Sequence, residues 1–586
     1  MITIERKYYY DGLEFNMETS DYDVYVLNKY LTKHYDSKSS NVLMKTYNDD
    51  LDGLAKSLGH KDIGFYCEYF LRDIFVPSDD NTARELCNSH YELWDMADRM
   101  LILDEFDKAN IVCPRGFAKT TIFDFAVISW CICYKESIFT ILIGKKDKDA
   151  TQFMDDILQL FEKNKRIIDN FGQLIDRKHN TVNANEIEFT NGCDLQAVGS
   201  GTSIRGRKYG NIRPTLVIGD DAQDDNDVLT PEARQKKYDI WCKQVENVGD
   251  TAVYRKGKKI KKATKIVSIG TVLHLECLIS RLSNNADYYT VLKRAILLED
   301  GQTVDSIFEL PLWQQCHDIY FDEKFNKQER YKNAKQFYLD HYDEMQFPVL
   351  WPEKWDCFDD LAVDYWKNRK TFMSEKMNDA TSISEKWFRS VRTMSSEEIE
   401  EHKFTKTMLS IDPASTTNKK SDSTDIMVGS KATNDFTYIR DIVHRKMTFD
   451  QYCNKTVEVL RNNLDVTHIN IEKNVYMGAD VLKIKELIKE DSVLKNKKYE
   501  WINEMQKKNK DEKISTITDA VNNGEIIIVS DKEDSKKAID EILDFQGQDY
   551  SLHDDAPDNL AELETKIKTI NIIKKAKLLD RNLLFG

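Results

Sequence analysis

The chain has 586 residues, 41% hydrophobic and 11% aromatic, too long for one core and apolar enough to fill two or more. Charged residues make up 31% and the net charge is −16, which excludes a general nucleic-acid coat and confines any DNA or RNA contact to local basic patches. The eleven cysteines are scattered without a CxxC pair, against zinc ribbons and redox motifs. The longest apolar run, near Phe125–Tyr134, falls well short of the roughly twenty residues of a membrane span. With no signal peptide, reduced thiols in a cytoplasm are expected.

Residues 1–85 are polar and tyrosine-rich, with helical patches such as "YDVYVLNKYLTKHY", and carry no chemical motif. Within an expected domain of 86–365, short β-rich runs ("NIVCP", "FTILIG", "IEFTN", "TLVIGDD", "KIVSIGT") alternate over about 88–300 with helix-like stretches such as "KDATQFMDDILQLFEKN", and residues 301–400 read as irregular and helical. That alternation predicts a parallel α/β sheet. Residues 366–404 read as a polar, hinge-like linker. From 405 to 586 three strand-like runs ("TMLSIDPA", "TDIMVGSK", "FTYIRDIVHRK") follow closely, then a helix and the strand "HINIEKN", which predicts a mixed sheet.

In "VCPRGFAKTT" a strand feeds a turn, and a helix is expected to begin at about Lys119. That is the setting of a phosphate-binding Walker A loop. Lys119 would reach the β- and γ-phosphates, Thr120 or Thr121 would ligate Mg²⁺, and backbone N–H groups around Gly116 and Ala118 would cradle phosphate oxygens. The spacing departs from the usual motif, because Cys113 and Ala118 replace its two glycines and Gly116 lies between them. Read alone, the loop fits an ordinary strand–helix turn with a basic cap equally well. About a hundred residues on, "TLVIGDD" ends an apolar strand in paired acids, the Walker B arrangement. Asp220 would hold Mg²⁺ and Asp221 would orient or deprotonate the attacking water. A third strand ends in Gly270–Thr271, a small polar pair placed to sense the γ-phosphate, or a plain tight turn.

The second half carries another set of acids. Asp412 lies near the end of one strand, Glu472 at the end of another, and Asp554, Asp555 and Asp558 at the start of a helix. That order is the order of an RNase H-like nuclease, whose carboxylates hold two divalent ions about 4 Å apart. Oxygen-only ligands suit Mg²⁺ or Mn²⁺. Asp422 is a candidate accessory ligand. Singly, each acid also reads as a cap or a surface charge, and Asp554 and Asp555 are good N-cap candidates.

A P-loop ATPase followed by an RNase H-like nuclease resembles the large terminase subunit of tailed bacteriophages. "PRGFAKTT", "GSGTSIRGRKYGNIRPTLVIGDD", "SIGTVLH", "PVLWPEKW" and "HDDAPDNL" are similar to that family's motifs over about 110–560. The resemblance implies an ASCE-type P-loop sheet ahead of an RNase H-like α/β nuclease domain. It implies ATP-driven translocation of double-stranded DNA into a procapsid and metal-dependent cutting of concatemers. Lys119 and Thr120 would bind ATP and Mg²⁺, Arg115 would touch the γ-phosphate, and Asp221 stands where the family often has a glutamate. Asp412, Glu472 and Asp555 match the nuclease triad, with Asp558 the alternative third ligand and Arg205 a candidate trans-acting arginine. The implied partners are the portal protein, a small terminase subunit and further copies of this chain in a ring. The implied location is the host cytoplasm, with none in the mature virion and no membrane contact.

The stretch Arg255–Lys265 packs seven basic residues into eleven positions, a DNA-gripping loop or a solvated hairpin tip. Leu494–Lys513 interleaves basic and aromatic residues, a candidate lining for the nuclease groove or a solvated helix. There are two rivals: an ATP-dependent helicase or defence nuclease built from the same two chemistries, and an RNase H-like integrase or transposase in which the acids perform strand transfer and the P-loop reading is accidental.

Overall fold

The computed structural model describes residues 6–570 apart from 382–386, 415–422, 473–477, 504–509, 548–550 and 552. The chain divides into two compact units. The first comprises Met1–Val304, Phe347–Leu361 and Lys370–Ile383; the second comprises Asp305–Gln346, Ala362–Arg369 and Ser384–Gly586.

The first unit opens with an antiparallel hairpin, Lys7–Tyr10 with Leu13–Asn16, followed by helices. Its centre is a seven-stranded sheet. In chain order the strands are β1 (Lys108–Val112), β2 (Phe139–Gly144), β3 (Glu186–Glu188), β4 (Asp194–Gly199), β5 (Leu216–Asp220), β6 (Lys265–Gly270) and β7 (Tyr289–Leu292). Their spatial order is β7-β1-β6-β5-β2-β4-β3. Every pairing is parallel except β3 with β4. Every residue of β2 and of β6 is buried, as expected of strands covered on both faces. The five runs read as strands in the sequence are all strands, and β4 and β7 join them. β6 lies between β1 and β5, the arrangement of an ASCE-type P-loop sheet, so the carboxyl ends of all three strands share one edge.

The second unit holds a seven-stranded mixed sheet. Its strands are β8 (Arg392–Met394), β9 (Phe404–Asp412), β10 (Thr424–Ala432), β11 (Thr437–Arg445), β12 (His468–Ile471), β13 (Glu500–Ile502) and β14 (Ile526–Val529). The order is β8-β14-β11-β10-β9-β12-β13. β9, β10 and β11 form an antiparallel meander, and β12 runs parallel to β9. One face is covered by α1 (Ser535–Asp544) and α2 (Asp555–Thr569), whose Ala538, Ile542, Leu560 and Leu563 pack on Met408 and Met427. Gly429 of β10 lies under Leu563, and a β-carbon there would collide with that side chain, so the glycine lets α2 approach the sheet.

Candidate active sites

The loop after β1 is shaped by two left-handed residues, Gly116 (φ 85°) and Ala118 (φ 58°). Ala118 therefore adopts the conformation that a glycine would take at this position. An L-residue there costs on the order of 1 kcal/mol. The loop enters a π-helical turn, Thr120–Phe125, which continues as an α-helix over Ala126–Tyr134.

That turn places the motif side chains against the tip of β5. Thr120 Oγ1 donates to Asp220 Oδ2 at 2.6 Å, and Lys119 Nζ stands 2.5 Å from Asp221 Oδ1. Thr121, the alternative hydroxyl, is exposed. Burial works against the Lys119 charge, but Asp221 and Asp220 outweigh it and hold its pKa above the ordinary value. Burial lifts the Asp220 carboxyl above the usual range against the pull of Lys119. Asp221 is itself left-handed (φ 45°), and its N–H donates to Ile269 O at 2.9 Å, tying the acid pair to β6. Arg115 is exposed: its Nη1 is 2.6 Å from Glu375 Oε1, and its N–H donates to Glu375 O at 2.7 Å. Arg205, also exposed, donates from Nη2 to Lys243 O at 3.1 Å.

Sequence reasoning missed Asp124, one turn beyond Thr120. It is fully buried, and neither carboxyl oxygen has a hydrogen-bond partner among the described residues. Burial, then the charge of Asp220, drives its pKa well above the carboxylate range. An acid on the apolar side of a helix was the available signal. A cleft of about 840 Å³ beside the loop is lined by Cys87, Ser89, Glu92, Leu297 and Trp351 among others. It includes Ser89 at the start of the helix Asn88–Leu101, and the adjacent His90 stacks on Phe117 of the loop with ring centroids 4.1 Å apart.

In the second unit the register Ile411↔Ile471 sets the ends of β9 and β12 side by side, so Asp412 and Glu472 emerge from neighbouring strand tips. α2 supplies Asp558, and the three residues each offer a carboxylate oxygen within 4.8 Å of the other two. Loss of water around Asp412, then the charges of Glu472, Asp558 and Asp555, push its pKa well above normal. Desolvation raises Glu472 against the pull of Lys513. Three oxygen donors that repel one another fit a hard divalent cation. Asp555 is placed differently: its Oδ2 accepts from the Ser423 N–H at 2.6 Å, although its charge is still felt at Asp412. Asp422 lies outside the described residues.

Two lysines of the basic–aromatic stretch face this cluster. Lys513 is bonded to Asp558, and Lys510 Nζ lies 3.0 Å from Asp554 Oδ1 and 3.7 Å from Asp558 Oδ2. Residues 504–509 of the stretch lie outside the description. Behind the cluster, buried His444 bridges two acids, with Nδ1 2.9 Å from Asp425 Oδ2 and Nε2 3.0 Å from Glu541 Oε2. Glu541 Oε1 accepts from the Ala556 N–H at 2.8 Å, and Asp425 Oδ1 accepts from Asn559 Nδ2 at 2.5 Å. The bridge thus holds both sides of the first turn of α2.

Arg255–Lys265 spans an exposed hairpin, Val253–Arg255 with Lys258–Lys261, and enters β6. Several of its cations are paired: Lys259 with Asp104 at 2.7 Å, Lys261 with Asp250 at 2.8 Å and Lys265 with Asp104 at 2.5 Å. Arg255, Lys256 and Lys258 form no ion pair among the described residues. No helix among those residues is long and apolar enough to cross a membrane.

Residues 409–563 match the family model described as the terminase RNaseH-like domain. No curated protein sequence matches the chain. Among solved structures, the large terminase of a thermophilic bacteriophage is similar at 10% identity and a TM-score of 0.37, over 83% of this chain and 99% of that one. The HK97 bacteriophage large terminase is similar at 10% identity and a TM-score of 0.27, over 76% of this chain and 86% of that one. The human cytomegalovirus terminase nuclease domain is similar at 14% identity and a TM-score of 0.24, over 30% of this chain and 88% of that domain. The matched span begins inside β9, ends inside α2 and contains all three clustered carboxylates. Residues 409–563 are thus a terminase-type RNase H-like domain, in the same chain as a seven-stranded sheet with P-loop strand order.

Proposed function

We propose that the chain is an ATP-driven motor that translocates double-stranded viral DNA into a procapsid and cuts the concatemer with a two-metal nuclease. The observation that carries this reading is the presence in one chain of the Lys119–Thr120–Asp220–Asp221 constellation and the Asp412–Glu472–Asp558 cluster. At the first site Lys119 would bind the β- and γ-phosphates of ATP, Thr120 and Asp220 would hold Mg²⁺, and Asp221 would orient the attacking water. The base is assigned to the cleft beside Phe117, and Arg115 to the γ-phosphate once it leaves Glu375. Among similar structures, one form of the thermophilic phage terminase is described as a complex with ADP and one cytomegalovirus nuclease domain as Mn soaked.

At the second site Asp412, Glu472 and Asp558, with Asp555 as alternate, would hold Mg²⁺ or Mn²⁺. Such ions activate water and stabilise the leaving 3′-oxygen when bound. Lys510 and Lys513 would yield Asp558 to the incoming cations and turn toward phosphate. Arg255, Lys256 and Lys258 are assigned to DNA contact. The motor is read on the first unit and the nuclease on 405–586 within the second; the sequence spans 86–365 and 366–404 differ from those units in that 305–346 goes with the second and 370–383 with the first. The working partners are portal protein, small terminase subunit and further copies of this chain in a ring, in the host cytoplasm.

The test is DNA packaging into purified empty proheads with ATP. Lys119→Ala is expected to abolish packaging and ATP turnover, whereas Asp412→Ala is expected to lose DNA cutting and keep ATP turnover. Packaging that survives Lys119→Ala would reject the motor. Strand separation driven by ATP would favour a helicase.

A further inference from the structure

The phosphate loop is approached at Gly116 by two lysines from more than 200 residues away in sequence. A β-carbon built on Gly116 would lie 3.8 Å from Lys354 Cε and 3.9 Å from Lys376 Nζ. The φ of 85° at Gly116 turns the loop, and both lysines come within ordinary van der Waals reach of that turn.

Each ammonium group is held over an aromatic ring. Lys354 Nζ lies 5.3 Å from the Trp351 ring centroid and Lys376 Nζ 4.9 Å from that of Trp355. A tryptophan face fixes a cation without cancelling its charge as a carboxylate would. Lys354 forms no ion pair among the described residues, and burial and nearby Arg84 disfavour its charge in the absence of an anion.

The backbone around Lys376 is laced into the site. Glu375 O accepts from the Arg115 N–H, and Lys376 Nζ donates to Arg115 O at 3.3 Å. On the other side, Ser374 Oγ donates to Val272 O at 2.6 Å, and the Val272 N–H donates to Asn378 Oδ1 at 3.2 Å. Ser374–Asn378 therefore touches both the phosphate loop and the loop after Gly270–Thr271.

We propose that Lys354 and Lys376 form a cationic clasp at Arg115–Gly116 that binds the polyphosphate of the nucleoside triphosphate in addition to Lys119. The clasp rests on the ATP site proposed above. Because Lys376 shares its segment with the residues that hold Val272, phosphate contact at one end is registered at the loop after β6.

The test measures ATP and ADP affinity of the full chain by calorimetry for Lys354→Gln, Lys376→Gln, the two Lys→Arg variants and Lys119→Gln. Each Lys354 or Lys376 glutamine variant is expected to weaken ATP by about tenfold, as for a lost charge-assisted contact, and arginine is expected to restore most of it. Wild-type affinity in both glutamine variants, with Lys119→Gln impaired, overturns the clasp and leaves the ATP site standing. Wild-type affinity in Lys119→Gln as well overturns the ATP site itself. Should a glutamine variant fail to fold, amine-reactive labelling of the native chain decides: ATP is expected to protect Lys354 and Lys376, and equal labelling with and without ATP overturns the clasp.

Discussion

Lys119 and Asp221 are each other's ion partner, Nζ to Oδ1 at 2.5 Å, although one is expected to take phosphate and the other to act on water. On the proposed function, nucleotide would compete with Asp221 for the lysine, and binding would free the acid. Lys119 is buried while Asp221 is about half exposed, so water screens only part of the attraction. Asp221→Asn removes the competitor. It is expected to bind ATP more tightly and to turn it over about a hundredfold more slowly, as for a lost general base. Equilibrium binding and steady-state hydrolysis check this together, and weaker binding would contradict it.

The nuclease acids allow a sharper division. Asp558 belongs to the three-carboxylate cluster, whereas Asp555 is engaged by the Ser423 backbone. Asp412→Asn and Asp558→Asn are expected to reduce plasmid cleavage to background, and Asp555→Asn to leave a measurable rate. ATP hydrolysis is expected to be unchanged in all three. Chelation should abolish cleavage by the wild-type chain, and added Mg²⁺ or Mn²⁺ should restore it. Mn²⁺ titration then separates loss of metal from loss of fold.

His444 gives the second unit a dependence on alkaline pH. Burial opposes its charge, but Asp425 and Glu541 outweigh burial and raise its pKa from 6.5 to about 10. A raised pKa means that the folded state binds the proton more tightly. This stabilisation is fully present below about pH 6.5 and is lost as pH rises through about 10. His444→Leu leaves two acids without their cation, which is expected to cost about 3–5 kcal/mol, the usual cost of breaking a buried pair. It should also loosen the first turn of α2. Thermal melts across pH 6–11 check both effects, with about 11 an upper limit chosen to pass the folded pKa.

Ala118 is expected to tolerate glycine. Replacing it with glycine removes the left-handed penalty at φ 58°, and the greater freedom of glycine in the unfolded chain offsets part of that. Ala118→Gly is expected to change stability by no more than about 1 kcal/mol and to retain ATP turnover. Loss of turnover would mean that the alanine methyl group itself has a role.

The strands legible in the sequence are those with an apolar or β-branched run bounded by polar or turn residues, such as "FTILIG", "TLVIGDD" and "TDIMVGSK". β4 ("DLQAVG") was obscured because Asp194 and Gln196 interrupt its apolar run. β14 ("IIIV") is too short a run to tell strand from buried helix. At the sites, residues within one motif were legible because their spacing carries the chemistry. The choice between Asp555 and Asp558 was not, because both lie in one helical turn and only packing decides which reaches Asp412 and Glu472. Lys510 and Lys513 were legible only as part of the basic–aromatic stretch Leu494–Lys513, without the acids they pair with. Lys354 and Lys376 carried no reading of their own, because a lysine gains such meaning from neighbours distant in the chain.

The second unit is drawn from three stretches of chain, and this bears on how such proteins can be taken apart. Arg330 stacks on Phe436, 4.4 Å from its ring centroid, and donates to Asn434 O at 3.3 Å, while Asn434 Nδ2 donates to Glu323 O at 2.7 Å. A fragment that starts near residue 400 keeps Phe436 and Asn434 but discards the helices that cover them. The nuclease is therefore not a cassette that one cut can lift out. Chimaeras exchanged at a single crossover would inherit mismatched halves of this seam, whereas grafts that carry residues 305–346 along with the C-terminal stretch keep it whole.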